Sequence, residues 1–312
     1  MNFNNLTVET SNRERELFFE KPSSRKLEEK SFRKNSLRQK WALKLLPSIY
    51  QKGIIQTLWN TKDLKYLESG WILKNNSWSP WFLNLRALGN FPCLFRDVCY
   101  GMAELVDEES YNFNTLIGVE MAGIPLASSL AIILHEYYGK AKKIGYTRPL
   151  PRKPRTLEEA LTILNNLDLQ AFTYGQKSFV EVGFENKDRV AIVDDMATDL
   201  SSKLISRLII LREAERRGVQ IECNKIFYFL NRNKNNALVA DYFQYALPEL
   251  YPAKLEINYL IEFEDCLPLL KSSMRAKEFE TIMEYQKDPL PFQKKGLIAL
   301  VKKQAREDRC KD

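Results

Sequence analysis

The chain has 312 residues, 45% hydrophobic and 28% charged, an ordinary globular composition for one large domain or a core with additions. Its net charge of +7 suits a ligand carrying several phosphates and equally suits nucleic acid. Cys93, Cys99, Cys223, Cys266 and Cys310 lack any Cys-x-x-Cys pairing and His135 is the only histidine, which argues against a zinc centre and a disulfide framework. The longest mainly apolar stretch, 124–134, contains Ser128 and Ser129 and is too short to span a bilayer, and the N-terminus is polar. A cytoplasmic protein with no membrane partner is expected.

Residues 1–60 read as a basic, helical N-terminal extension, polar at first and amphipathic from Ser36, with Leu37, Trp41 and Leu45 four apart on one helical face. Pro47 predicts an end or kink, followed by an apolar segment over 49–59. Across 61–273 helices alternate with apolar strands. Helices are predicted over 91–105, 125–138, 156–167 and 202–217, and strands over 115–119, 143–147, 190–193 and 225–230. Strands separated by helices predict an α/β domain with a mostly parallel sheet flanked by helices. Beyond Asn236 the signal is more helical, with helices over 267–273 and 276–285 and a boundary at Pro289 and Pro291, and residues 274–312 read as a helical, basic C-terminal tail. The basic runs at 21–44 and 294–311 read either as solvated helical faces or as patches for nucleic acid or an acidic protein.

The segment 189–203 carries the most chemistry. Val190 to Val193 read as a buried parallel strand, and a helix begins near Ser202. Asp194 and Asp195 therefore emerge at the carboxyl end of a strand, where open α/β sheets bind ligands. Thr198, Ser201 and Ser202 precede the helix, where hydroxyls and free N–H groups can receive a phosphate.

This arrangement resembles the phosphoribosyl pyrophosphate (PRPP) motif of the type I phosphoribosyltransferase family, and other segments in order make the chain most similar to its orotate branch. Lys74, followed by Ser79-Pro80-Trp81-Phe82, resembles the segment in which a lysine contacts PRPP and two aromatics frame the base. A hairpin with an aromatic core edge is the alternative for Trp81 or Phe82. Glu120-Met121-Ala122-Gly123-Ile124-Pro125 is similar to the pyrophosphate loop, where Gly123 permits close approach to an anion nest. Asn231-Arg232 stands where the branch carries Asp-Arg; Arg232 is thereby implied to grip the orotate carboxylate, or else is a surface charge. Leu260 to Leu270, with Glu262, Phe263, Asp265 and Leu267, resembles the closing segment in which the family's last strand leads into a short helix.

Arg148 and Arg152 resemble the basic residues of the catalytic loop, but Pro149 and Pro154 replace the lysine and histidine found there. Asp199 and Leu200 replace the small residue and glycine of the phosphate loop. The resemblance implies catalytic roles for Lys74, Arg148, Arg152, Asp194 and Asp195, with Mg²⁺ held by the two aspartates, directly or through water. It implies substrate contacts from Trp81, Phe82, Met121, Ala122, Gly123, Thr198, Ser201, Ser202 and Arg232, and a homodimer. Three readings follow: a PRPP-dependent transferase acting on an orotate-like or other base; a diverged effector or regulator that binds or consumes a nucleotide under a partner's control; and an interaction module using the basic termini.

Overall fold

The structure, a computed structural model, describes residues 24–73, 76–107, 112–152, 154, 157–166, 178–198, 200–232 and 255–310. Its centre is a six-stranded sheet built from β5 (Thr115–Gly118), β6 (Lys143–Thr147), β7 (Val180–Glu181), β8 (Asp188–Ala197), β9 (Ile221–Asn231) and β10 (Glu256–Glu262). The spatial order is β10-β9-β8-β5-β6-β7. Every neighbouring pair is parallel except β6 with the edge strand β7. The fully buried Leu116, Ile117, Ala191, Ile192 and Val193 explain the continuous apolar runs, since a strand covered by helices on both faces has no solvent side.

Between the strands run α3 (Pro92–Asp107), α4 (Gly123–Tyr138), α5 (Leu157–Asn165) and α6 (Ser201–Arg216). Two cores result. One holds Phe113, Leu116, Val193 and Phe227 with α3 and α4, and the other holds Ile117, Val190, Ile192 and Ile226 with α6. Neighbouring residues of β5 thus face opposite layers, as the period of two requires.

The N-terminal helix α1 (Ser24–Gln51) continues through Pro47 rather than stopping there. Proline leaves the Leu43 carbonyl without its helical donor. Leu43 lies on the solvent-exposed side, however, while the fully buried Leu45, Leu46 and Ile49 anchor the helix on both sides of the proline. These residues share the core of α3, β9 and β10. Several basic groups of α1 have partners within the chain: Lys34 donates to Asn258, Arg38 lies 4.0 Å from the Tyr259 ring centroid, and Lys40 and Lys44 pair with Glu104 and Asp97.

After α1 come β1 (Ile55–Thr57), α2 (Leu64–Ser69), β2 (Trp71–Ile72), β3 (Trp78–Ser79) and β4 (Trp81–Leu83). β2 and β3 form an antiparallel hairpin, and β4 pairs with β1. Beyond β10 lie α7 (Phe263–Cys266), a 3₁₀ turn at Leu267–Leu270, α8 (Ala276–Lys287) and α9 (Lys295–Arg309). Buried Glu278 on α8 accepts from Thr57 (2.5 Å) and Tyr50 (2.9 Å), fastening α8 to β1 and α1. On α9, Arg309 donates to the carbonyls of Leu58 and Thr61. Among the described residues no helix is long and apolar enough to cross a membrane.

Candidate active site at the strand switch point

From β5 the chain passes through α4 to β6 on one side, whereas β8 passes through α6 to β9 on the other. The carboxyl ends of β5 and β8 therefore diverge into helices on opposite sides of the sheet and leave a crevice between them, the ligand position of open α/β folds. Asp194 and Asp195 stand there, still within β8, because the strand runs four residues beyond Val193.

The β5–α4 turn closes tightly on this point. Val119 N–H donates to the Val193 carbonyl (2.9 Å), and Gly123 N–H to the Val119 carbonyl (2.9 Å). A Cβ on Gly123 would collide with the Val193 carbonyl oxygen, and one on Gly118 would lie 2.6 Å from the Gly123 oxygen. Both glycines are thus required by close backbone approach. The Glu120–Met121 peptide is cis, Met121 is exposed, and Glu120 N–H donates to the Thr147 hydroxyl at the end of β6 (3.2 Å). Ala122 is half-buried.

On the other side of the crevice, Thr198 and Ser202 are exposed and Ser201 is half-buried at the start of α6. Leu200, which replaces a loop glycine, turns into the core and is fully buried with Leu204 and Leu208. Its side chain therefore does not occupy the solvent side of the turn. Asp199 and Lys74 lie outside the described residues.

Lys203 was not singled out by the motif, yet it enters this site. Its Nζ lies 2.7 Å from Asp194 Oδ2 and also donates to Ser202 Oγ (3.2 Å) and the Met196 carbonyl. The other Asp194 oxygen accepts the Asp195 N–H (2.9 Å). Burial, and next the charge of Asp194, raise the Asp195 carboxyl to about 7. The residues present do not fit a divalent cation bound directly to Asp194, because such an ion would meet the like charge of the Lys203 ammonium, 2.7 Å from Oδ2. Among the described residues no group of three or more His, Cys, Asp or Glu is arranged to hold a metal. A lysine directly after a hydroxyl pair at a helix start was the available sequence signal; its direction toward Asp194 depends on the fold.

A third wall comes from β9 and the aromatic segment. Arg232 N–H donates to the Ala197 carbonyl (2.8 Å), tying the ends of β8 and β9 together. Its guanidinium stands 4.4 Å from the Trp81 ring centroid, and Trp81 stacks on Phe263 at 4.9 Å. Trp81 is fully buried and its indole N–H has no acceptor among the described residues. Half-buried Phe82 stacks on Trp71. Burial lowers Arg232 to about 10, leaving it cationic at neutral pH. No carboxylate among the described residues pairs with it. Neighbouring Asn231 is buried and donates to Glu262 (2.8 Å), a bond that an aspartate would replace with repulsion.

Arg148 and Arg152 stand apart from these walls. Arg148 Nε donates to Glu181 on β7 (2.7 Å), on the side of β6 away from β5, and exposed Arg152 lies 3.5 Å from Glu159 on α5. The structure thus brings Gly123, Asp194, Asp195, Ser201 and Ser202 to the adjoining ends of β5 and β8, with Arg232 at the end of the next strand over buried Trp81 and the two loop arginines directed to other partners.

The switch-point crevice, the strand order and the flanking helices define the fold of a type I phosphoribosyltransferase. No family model matches the chain. An orotate phosphoribosyltransferase of Sulfolobus acidocaldarius is 27% identical over 161 residues, covering 51% of this chain and 65% of that protein, just under two thirds of its length. The UMP synthase of Leishmania donovani aligns with a TM-score of 0.51 and 17% identity over 79% of this chain and 42% of that one. An orotate phosphoribosyltransferase from Aeropyrum pernix aligns with a TM-score of 0.47 and 18% identity, covering 72% of this chain and 97% of that one.

Proposed function

We propose that the protein binds PRPP in the crevice between β5 and β8 and transfers its phosphoribosyl group to a carboxylate-bearing base of the orotate class. The observation that carries this reading is Arg232, a cationic, half-buried guanidinium over Trp81 with no carboxylate partner among the described residues. A planar guanidinium can donate two parallel hydrogen bonds to a carboxylate, and it lies one strand away from the aspartates.

In this reading the aspartate pair receives the ribose hydroxyls. The β5–α4 turn offers backbone N–H groups to the pyrophosphate, and Thr198, Ser201, Ser202 and the α6 N-terminus receive the 5-phosphate. A ring nitrogen of the base forms the new C1–N bond with its lone pair as the C1–O bond to pyrophosphate breaks, and the proton it carried passes to water. The pyrophosphate departs with that electron pair. Held positions and fixed donors stabilise the developing charge, and no covalent nucleophile is needed. The homodimer implied by the resemblance belongs to the same proposal and is checked by sedimentation.

Mixing the protein with PRPP and orotate, with and without Mg²⁺, and following orotate absorbance tests the reading. Loss of orotate supports it, and absence of turnover at micromolar protein removes the orotate version. A second reading, a nucleotide-binding effector or regulator without ordinary turnover, draws support from Arg148, whose ion pair with Glu181 directs it away from the crevice. PRPP binding without orotate consumption is its signature.

A further inference from the structure

Lys203 lies in the first turn of α6, and its side chain runs back to the end of β8. Its side chain is 4% exposed and that of Asp194 is 7% exposed, so the pair is almost wholly withdrawn from water. An ammonium in such a place is stable only when a fixed counter-charge and further acceptors surround it. Asp194 Oδ2, Ser202 Oγ and the Met196 carbonyl meet that need, one acceptor for each of the three N–H donors.

This position has an electrostatic consequence. Two carboxylates at the mouth of a phosphate site repel the ligand they are to hold, and a divalent cation ordinarily relieves such repulsion. Here a covalently attached cation already neutralises one carboxylate, and a metal approaching Asp194 would meet the ammonium's like charge.

We propose that Lys203 serves as a built-in cation in place of a divalent metal on the aspartate pair, so that the protein binds a phosphorylated ribose without Mg²⁺. This rests on the phosphoribosyl reading and adds the metal-independence of the same site. Lys203 is a positioning residue that acts through Asp194.

The test is calorimetric titration of the full chain with PRPP in EDTA and again in excess Mg²⁺. The wild type is expected to give dissociation constants within about threefold of each other. Lys203→Met, with its fold checked by circular dichroism and thermal melting, is expected to lose about tenfold or more in EDTA and to recover affinity in Mg²⁺, because the freed carboxylate now accepts a metal. Wild-type binding that appears only with Mg²⁺ overturns the inference and leaves the phosphoribosyl reading standing. Unchanged affinity of Lys203→Met in EDTA also overturns it. No PRPP binding by folded wild type in either buffer removes both. If Lys203→Met does not fold, the wild-type comparison decides by itself.

Discussion

The guanidinium of Arg232 lies 4.4 Å from the ring centroid of Trp81, which is itself stacked on Phe263, so a cation at the end of β9 is held by aromatic surface. Such a contact orients the group while leaving its N–H donors available to a planar anion.

Arg232→Met is therefore expected to raise the KM for orotate by about 10- to 100-fold, the loss of a charge-assisted pair worth about 1.5–3 kcal/mol. The PRPP dissociation constant should stay within about threefold, since the aspartates, the β5–α4 turn and the start of α6 are unchanged. Steady-state kinetics against each substrate separates the two effects, and equal damage to both would count against a carboxylate-binding role.

Gly123→Ala should destabilise the protein by about 1–3 kcal/mol, because its methyl group has no room against the Val193 carbonyl. Gly296→Ala is the control: nothing lies within 4 Å of that Cβ and the residue is helical, so stability should rise by a few tenths of a kcal/mol, up to about 1. Urea denaturation of the two variants measures the contrast.

Leu45→Ala tests whether α1 belongs to the main core. Leu45 is fully buried with α3 and β10, and its truncation should cost about 2–5 kcal/mol in a single cooperative transition. A near-neutral result would mean that α1 unfolds independently.

Glu278 supplies a pH dependence. Burial raises its carboxyl above the ordinary range, more than the hydrogen bonds from Thr57 and Tyr50 lower it. Below the ordinary carboxylate range both folded and unfolded states hold the proton, and the group contributes no pH slope. Between the ordinary and the raised value the folded state holds more protons, so this group's contribution to stability falls as pH rises through that window. The melting temperature of Glu278→Gln should lack that component, and the difference between wild type and variant, plotted from pH 4 to 8, should reveal it.

Much of the sheet was legible from local pattern. The strand expected over 143–147 is observed with those bounds as β6, and α4 and α6 begin within two residues of their expected starts. β8 and β9 are longer than their apolar centres because charged and polar ends continue the ladder: Asp194 pairs in register with Tyr228 and Ala197 with Asn231. Hydrophobicity marks what is covered by helices, and hydrogen bonding decides where a strand ends. Pro47 does not end α1 for a related reason, since propensity disfavours proline inside a helix while buried neighbours on both sides hold α1 together.

For the candidate site, the sequence alone singled out the aspartate pair, the glycine turn and Arg232, because each is a residue type with a distinctive demand: charge at a strand end, close backbone approach, or a forked donor. It could not assign partners. Arg148 pairs with Glu181, 33 positions away, and only the antiparallel edge strand brings them together. Lys203 reads in sequence as one more basic residue of a helix. Its burial against Asp194 depends on the path from β8 into α6, and with it the charge that a ligand meets in the crevice. Local sequence determines which groups can do chemistry, whereas long-range packing decides which of them are already neutralised by another part of the chain.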